Sequence, residues 1–169
     1  MGSLTKLIDV LLFLYFLFIA LTAPVTDALT IFPSNLLPTF LLDLKKWYIK
    51  EFDDYLFAEK PHFFVGLTWV ELLFQWPVAV LCVYGLAGSK SWFNITSLVY
   101  GASSLTGLIA IQAELIGSKR ASTKPILIYL LPLLVAVLAI LRGVLLYSGK
   151  SSPIGKRPAL NQKRIAKNH

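Results

Sequence analysis

Four long apolar stretches dominate the chain and restrict it to folds that a lipid bilayer can hold. They run from about residue 7 to 29, 63 to 86, 92 to 116 and 125 to 147. A helix crosses the hydrocarbon core with about 20 mostly apolar residues, and each stretch is long enough. The sequence therefore predicts an all-α fold, a four-helix transmembrane bundle over residues 1–148, with residues 149–169 as a basic tail.

The composition and the placement of charge support a membrane protein. Apolar residues make up 56% of the chain and charged residues 15%, against roughly 45–50% and 25% in an average soluble domain. The net charge of +7 includes six basic side chains within the last 20 residues, without an acid among them. This placement favours a cytoplasmic tail over a nucleic-acid-binding surface. With one cysteine and two histidines, we expect no metal site and no cofactor.

The basic tail also sets the expected topology. Cytoplasmic segments next to spans are enriched in Lys and Arg, so the C-terminus is expected in the cytoplasm. With four spans, the N-terminus then lies there too. Asp9 and Pro24 fit a cleaved signal peptide badly, so the first stretch is expected to remain as a span.

The connection between the first two spans, residues 30–61, has a helical pattern of its own. Apolar and aromatic residues recur there at helical spacing, and charged residues fill the other side. The pattern predicts one amphipathic helix that lies on the membrane or caps the bundle. The apolar face comprises Leu44, Trp47, Tyr48, Phe52, Tyr55 and Leu56.

Glu71 is the most informative polar residue, because it lies near the middle of the second span. A charge at the bilayer centre costs at least about 2.5–3.5 kcal/mol, so such residues face the bundle interior or a cavity. Gln75 and Thr68 lie on the same helix face, and Pro77 is expected to kink the helix beside them. The residues predict either a pocket between helices or polar contacts that hold neighbouring spans together.

Other acids lie near the same end of the bundle. Asp27 closes the first span, and Asp53 and Asp54 lie on the connector, where solvation is the default interpretation. If Asp27, one connector acid and Glu71 converge, they cannot all be ionised in a medium of low dielectric. Such a cluster would anchor an amine, bond a sterol hydroxyl or act as an acid/base pair. Asp9 and Arg142, near span ends, are expected to reach solvent or to snorkel.

Three segments resemble the sigma-2 receptor family of the EXPERA domain group, which also includes a sterol isomerase. The first has Leu14-Tyr15-Phe16, Asp27, Phe32-Pro33 and Pro38 at the family's spacing. The second is Lys46-Trp47-Tyr48-Ile49-Lys50-Glu51-Phe52-Asp53-Asp54, and the third is Glu71-Leu72-Leu73-Phe74-Gln75-Trp76-Pro77. The resemblance is dense from about residue 14 to 77 and looser beyond.

The resemblance implies an EXPERA-type membrane domain over residues 1–148, in the endoplasmic reticulum, with an endosome or lysosome left open. It also implies an occluded pocket, open sideways to membrane lipid, that takes sterols and cationic amphiphiles. A role in cholesterol homeostasis, a homodimer and a sterol-transport partner follow from the same resemblance.

The resemblance also assigns roles to individual residues. Asp27 matches the acid that pairs with a ligand amine, and Asp54 matches the acid that supports it. The further residues implied near the pocket are Trp47, Tyr48, Glu71 and Gln75. Thr68 is expected beside them because it shares the helix face of Glu71. The family's pocket tyrosine lies four residues before the fourth-span proline. Here Ile128 occupies that place and Tyr129 follows, an offset of about 100° around a helix. Tyr129 is included among the expected ligand-binding residues.

Three functions remain open from the sequence. A receptor without enzymatic activity is the preferred interpretation. A sterol double-bond isomerase would need Asp27 and Glu71 as an acid/base pair, yet the isomerase branch has a histidine where this chain has Ala23. A structural membrane protein would use the acids only for packing between helices.

Overall fold

The computed structural model describes residues 3–148, which are mostly helical and include no strand. The helices are α1 (Ser3–Ile31), α2 (Thr39–Phe52), α3 (Tyr55–Glu59), α4 (His62–Val70), α5 (Trp76–Ala87), α6 (Phe93–Gly117) and α7 (Thr123–Ser148). A 3-10 turn at Ser34–Leu36 follows α1, and a π-helical turn at Glu71–Gln75 joins α4 to α5. The basic tail predicted at 149–169 lies outside the described residues.

Four segments within the described residues are long and apolar enough to cross a membrane. They are Ser3–Ile31, His62–Ala87, Phe93–Gly117 and Thr123–Val144. Large apolar side chains cover their outer surfaces, for example Leu21 and Leu131, as lipid contact requires. The all-α, four-span prediction is confirmed, and the chain is a multi-pass membrane protein.

Small residues let α6 and α7 pack backbone to backbone. A Cβ added at Gly101 would lie 2.7 Å from the Ala136 carbonyl oxygen, and one at Gly143 would lie 2.7 Å from that of Asn94. Close approach through small residues is the usual way in which membrane helices associate. These two glycines therefore fix the distance between the helices that form one side of the bundle.

A tryptophan joins α1 to α5 at the point where a proline interrupts α1. In an α-helix the Ala20 carbonyl would accept a hydrogen bond from the N–H of residue 24, but Pro24 has no N–H to donate. Trp76 Nε1 donates to that oxygen at 3.0 Å. The freed backbone group is thus satisfied by a neighbouring helix, as the membrane interior demands.

The second span departs from α-helical geometry one turn earlier than the kink expected at Pro77. The residues Glu71–Gln75 form the π turn, and Trp76 N donates to the Glu71 carbonyl five residues back. Because Pro77 cannot donate to Leu73, the backbone widens ahead of the proline. Such π turns often occur at functional sites.

The connector is two helices rather than the single helix that its apolar pattern predicts. Asp53 ends α2 with a left-handed backbone (φ 54°), and Asp54 begins α3. The buried side chains of α3, Leu56 and Phe57, pack in one apolar cluster with Leu29 of α1 and others from α4 and α6. The connector thus caps the bundle, and we call this side of the molecule the connector end.

A buried ion pair at the opposite end corrects the expectation that Arg142 snorkels. Arg142 is 7% exposed, and its Nε donates to Asp9 Oδ1 at 2.5 Å. Its Nη2 donates to Asp9 Oδ2 at 3.2 Å, and its Nη1 to Asn94 Oδ1 at 2.9 Å. The guanidinium also lies over the Phe93 ring. Arg142 therefore joins α1, α6 and α7 inside the protein.

Candidate functional site

A cavity of about 420 Å³ lies in the half of the bundle nearest the connector. Its walls come from α1, α4, the π turn, α6 and α7, and the connector helices α2 and α3 contribute to it. Most of the lining is apolar. The volume is within the range of about 300–1,000 Å³ that is typical of small-molecule sites.

Six of the eight residues predicted for the site line this cavity. They are Asp27, Tyr48, Thr68, Glu71, Gln75 and Tyr129. The other two, Asp54 and Trp47, are not part of the lining. The first span, the connector and the second span thus converge, as the sequence patterns suggested, and the fourth span joins them.

Asp27 and Glu71 bring two carboxyls to one largely apolar space. Asp27 is 3% exposed, so it does not lie at the solvated interface, and its Oδ2 is buried without a hydrogen-bond partner. Glu71 is half-buried, and its side-chain carboxyl makes no hydrogen bond to any residue within 3–148. An unpartnered polar group in an apolar setting is costly. These carboxyls are therefore available to a ligand.

The remaining polar residues of the second span are already paired. Gln75 Nε2 donates to Ser103 Oγ of α6 at 3.1 Å, which fits the packing role considered for it. The Thr68 hydroxyl donates to the Phe64 carbonyl of its own helix at 2.9 Å. Of this face, Glu71 alone presents its polar group to the cavity without such a bond.

Asp54 lies behind the cavity wall and corrects the default interpretation that it is solvated. It is fully buried. Its Oδ1 accepts from the N–H groups of Leu56 at 3.1 Å and Phe57 at 3.2 Å, which caps α3. Its Oδ2 accepts from the hydroxyls of Tyr129 at 2.8 Å and Tyr48 at 3.5 Å. Asp54 therefore positions two cavity tyrosines. Asp53, by contrast, is exposed.

The environment of Tyr48 keeps its hydroxyl protonated. Burial raises the pKa of Tyr48 well above its usual value, and the Asp54 carboxylate raises it further. Tyr48 thus stays a donor toward Asp54 over the physiological range. In its place on α2, the ring also packs against Phe57, with ring centroids 5.0 Å apart.

Tyr129 lines the cavity despite its offset from the family position. Ile128 lines it as well, so the wall is broad enough for both neighbours to contribute. The bond to Asp54 holds the Tyr129 hydroxyl toward the connector. Trp47, in contrast, is 55% exposed and packs against Phe52 outside the cavity.

Several lining residues are absent from the sequence-based site. Thr22, Thr26 and Thr30 of α1 all line the cavity, together with Tyr15 and Tyr100. The threonines recur every four residues in an apolar stretch, and this spacing is a pattern that identifies a helix face. Their hydroxyls bond carbonyls of α1, such as Thr22 Oγ1 to Phe18 at 2.8 Å. The aromatic residues have no comparable pattern.

The arrangement suits recognition of an amphiphile. The apolar walls can hold a hydrocarbon body, while the unpartnered carboxyls can pair with an ammonium or bond a hydroxyl. Within residues 3–148 no group of three or more His, Cys, Asp or Glu side chains could hold a metal ion.

Comparison with known proteins gives the family. The family model described as EXPERA (expanded EBP superfamily) matches residues 40–124. Proteins named "Sigma intracellular receptor 2" are similar to the chain. The one from Xenopus tropicalis is 31% identical over 117 residues, which is 69% of this chain and 68% of that protein. The one from Homo sapiens is 35% identical over 107 residues, or 63% of this chain and 61% of that protein. The chain belongs to the EXPERA superfamily.

Proposed function

We propose that this protein is an intracellular membrane receptor whose cavity binds a sterol or a cationic amphiphile. The observation that carries the proposal is the pair of carboxyls, Asp27 and Glu71, that face a largely apolar cavity without hydrogen-bond partners. The similarity to proteins named as receptors supports it.

The residues divide the work of binding. Asp27 pairs with a ligand ammonium or accepts from a sterol hydroxyl, and Glu71 provides the second acid of the cavity. The apolar walls enclose the ligand body and exclude water, which strengthens polar contacts within the cavity. Asp54 acts indirectly, since it positions Tyr48 and Tyr129.

The cellular setting is part of the proposal. The family resemblance and the basic tail support our proposal that the protein lies in the endoplasmic reticulum membrane with both termini in the cytoplasm. An endosome or lysosome is the alternative location. A homodimer, a sterol-transport partner and a role in cholesterol homeostasis follow from the same resemblance.

Sterol isomerisation is the second candidate, because Asp27 and Glu71 line one cavity and thus satisfy the first requirement of an acid/base pair. Ala23 counts against it. This residue also lines the cavity, at the position where the isomerase branch has a histidine. With a methyl group in that place, the receptor is the preferred function.

Binding of a radiolabelled sigma-2 amine ligand tests the proposal. Wild type would be compared with Asp27→Asn and Glu71→Gln in membranes. Asp43→Asn is the matched control, because Asp43 lies on the exposed face of α2. We expect wild type to bind the ligand saturably and sterol to displace it. Asp27→Asn should weaken the affinity at least about tenfold, and the control should leave it unchanged.

Equal affinity in all the variants, or no saturable binding to folded wild type, would refute the receptor. The same preparation would be assayed for double-bond migration in a labelled sterol. Turnover that disappears in both cavity variants would instead establish the isomerase.

A further inference from the structure

Two lysines lie side by side at the connector end of the cavity. Lys45 is in α2, and Lys60 follows α3; both are half-buried. Lys45 Nζ lies 3.5 Å from the Leu29 carbonyl oxygen, and Lys60 Nζ lies 3.5 Å from that of Phe32. Leu29 lies in the last turn of α1 and Phe32 directly follows that helix, so the two ammonium groups are neighbours.

Neither ammonium has an acidic partner within residues 3–148. The ion pairs of the connector join other side chains: Lys46 to Asp43, Arg120 to Glu59 and Lys124 to Glu51. The carbonyl contacts are at the outer limit of a hydrogen bond, and each ammonium has three N–H donors. Donor capacity is therefore left over at this place.

The environment of Lys45 reflects this lack of compensation. Desolvation and the charge of Lys60 lower the pKa of Lys45 to about 8. An anion between the two lysines would offset both effects, since it supplies the opposite charge that the protein does not.

The pair borders the cavity directly. Lys45 Nζ lies 5.6 Å from the centre of the Phe57 ring. Phe57, Leu29 and Leu44, the residue before Lys45, all line the cavity. The polar head of a molecule whose body fills the cavity would thus reach these ammonium groups at the connector end.

We propose that Lys45 and Lys60 form an anion subsite for the sulfate, phosphate or carboxylate head of an amphiphile whose apolar body occupies the cavity. The inference rests on the proposed function, because it uses the same cavity. It extends the ligand class to anionic amphiphiles. The alternative is that the lysines only stabilise the C-terminal end of α1, which would affect stability without distinguishing between ligands.

The test compares two probes that differ only in the head group. Full-length protein in nanodiscs of neutral lipid would be titrated with a labelled sterol sulfate and with the same sterol bearing a free hydroxyl. The variants are Lys45→Gln and Lys60→Gln. Lys50→Gln is the control, as Lys50 is exposed on the same helix α2.

We expect wild type and the control to bind the sulfate about tenfold more tightly than the hydroxyl, and each subsite variant to lose most of that preference. Affinity for the hydroxyl form should change less than about twofold. Two further arms use inorganic sulfate and nanodiscs of anionic lipid. The preference should persist in both, because the head is delivered by the cavity ligand.

Each other outcome contradicts the subsite. Loss of both probes to the same extent in Lys45→Gln and Lys60→Gln would indicate a structural role. If inorganic sulfate abolished the preference for the sterol sulfate, the lysines would bind a free ion instead. If anionic lipid abolished it, they would bind the bilayer surface. Saturable binding of the hydroxyl form without a preference for sulfate would refute the subsite alone. Failure of both probes would refute the proposed function as well.

Discussion

Removal of one hydroxyl, in Tyr129→Phe, tests whether Asp54 holds the cavity wall to the connector. The bond runs 2.8 Å from Tyr129 Oη to Asp54 Oδ2, and Asp54 is fully buried. Hydrogen bonds to charged groups contribute about 1.5–3 kcal/mol. Because Tyr129 is only partly buried, we expect about 1.5–2 kcal/mol less stability, at the lower end of that range.

The assay is equilibrium unfolding in mixed detergent micelles, followed by circular dichroism. Tyr84→Phe is the matched control, because Tyr84 is 59% exposed and a surface change is expected to stay within about 0.5 kcal/mol. Combining Tyr129→Phe with Asp54→Asn completes a double-mutant cycle. We expect a coupling energy of about 1 kcal/mol or more, as for residues in direct contact.

A loss in Tyr129→Phe no larger than in Tyr84→Phe would refute this reasoning. So would additive effects of the changes at Tyr129 and Asp54. Either result would mean that the tyrosine hydroxyl and the carboxylate do not share a bond that matters to the fold.

Three further outcomes are expected. Arg142→Met should lower the free energy of unfolding by about 3–5 kcal/mol, and adding Asp9→Asn should recover much of that loss. A double variant as unstable as Arg142→Met alone would contradict a buried ion pair. Gly101→Ala should lower stability by about 1–3 kcal/mol, because α7 leaves no room for the added carbon. Gly66→Ala should not lower it, because nothing lies within 4 Å of that position. Equal melting temperatures of the two variants would argue against the close approach of α6 and α7. Affinity for the sulfated sterol should fall as pH rises above about 8, since the Lys45 ammonium then loses its proton. An affinity that does not change with pH would show that the charge of Lys45 plays no part in binding the sulfate.

The spans were predictable because their requirement is local. A helix in lipid satisfies its own backbone, so length and hydropathy are enough to identify it. The polar face of the second span was equally accessible, since Glu71 is expensive in lipid and its neighbours follow at helical spacing. The sequence therefore located one wall of the cavity without any knowledge of the partner helices.

The structure of the connector was harder to predict from the sequence, because its apolar pattern continues across the break between α2 and α3. Asp53 adopts the left-handed region, and Asp54 caps the next helix. Both residues are ordinary on the solvated face of a helix, so their composition does not show the change in direction. The burial of Asp54 follows from that turn together with the positions of two tyrosines, one of them 75 residues away in sequence.

The pairing of Arg142 with Asp9 could not be derived from the sequence. The two residues are 133 positions apart, and their contact depends on which helices are neighbours and in which rotation. Each side chain alone is consistent with a span end that reaches water. The position of Tyr129 presents the same problem. Its distance in sequence from Pro132 gives its angle around the helix, but it does not show that the cavity is wide enough to include that side of the helix.

Photo-crosslinking with a photoreactive sterol would locate the binding site of the folded protein in its membrane. We expect the label, mapped to single residues, at cavity positions such as Thr26 and Leu108, and suppression of the label by an excess of a sigma-2 amine. Asp27→Asn should abolish that suppression. Label confined to lipid-facing positions such as Leu21 and Leu131, and indifferent to the amine, would contradict a sterol- and amine-binding cavity.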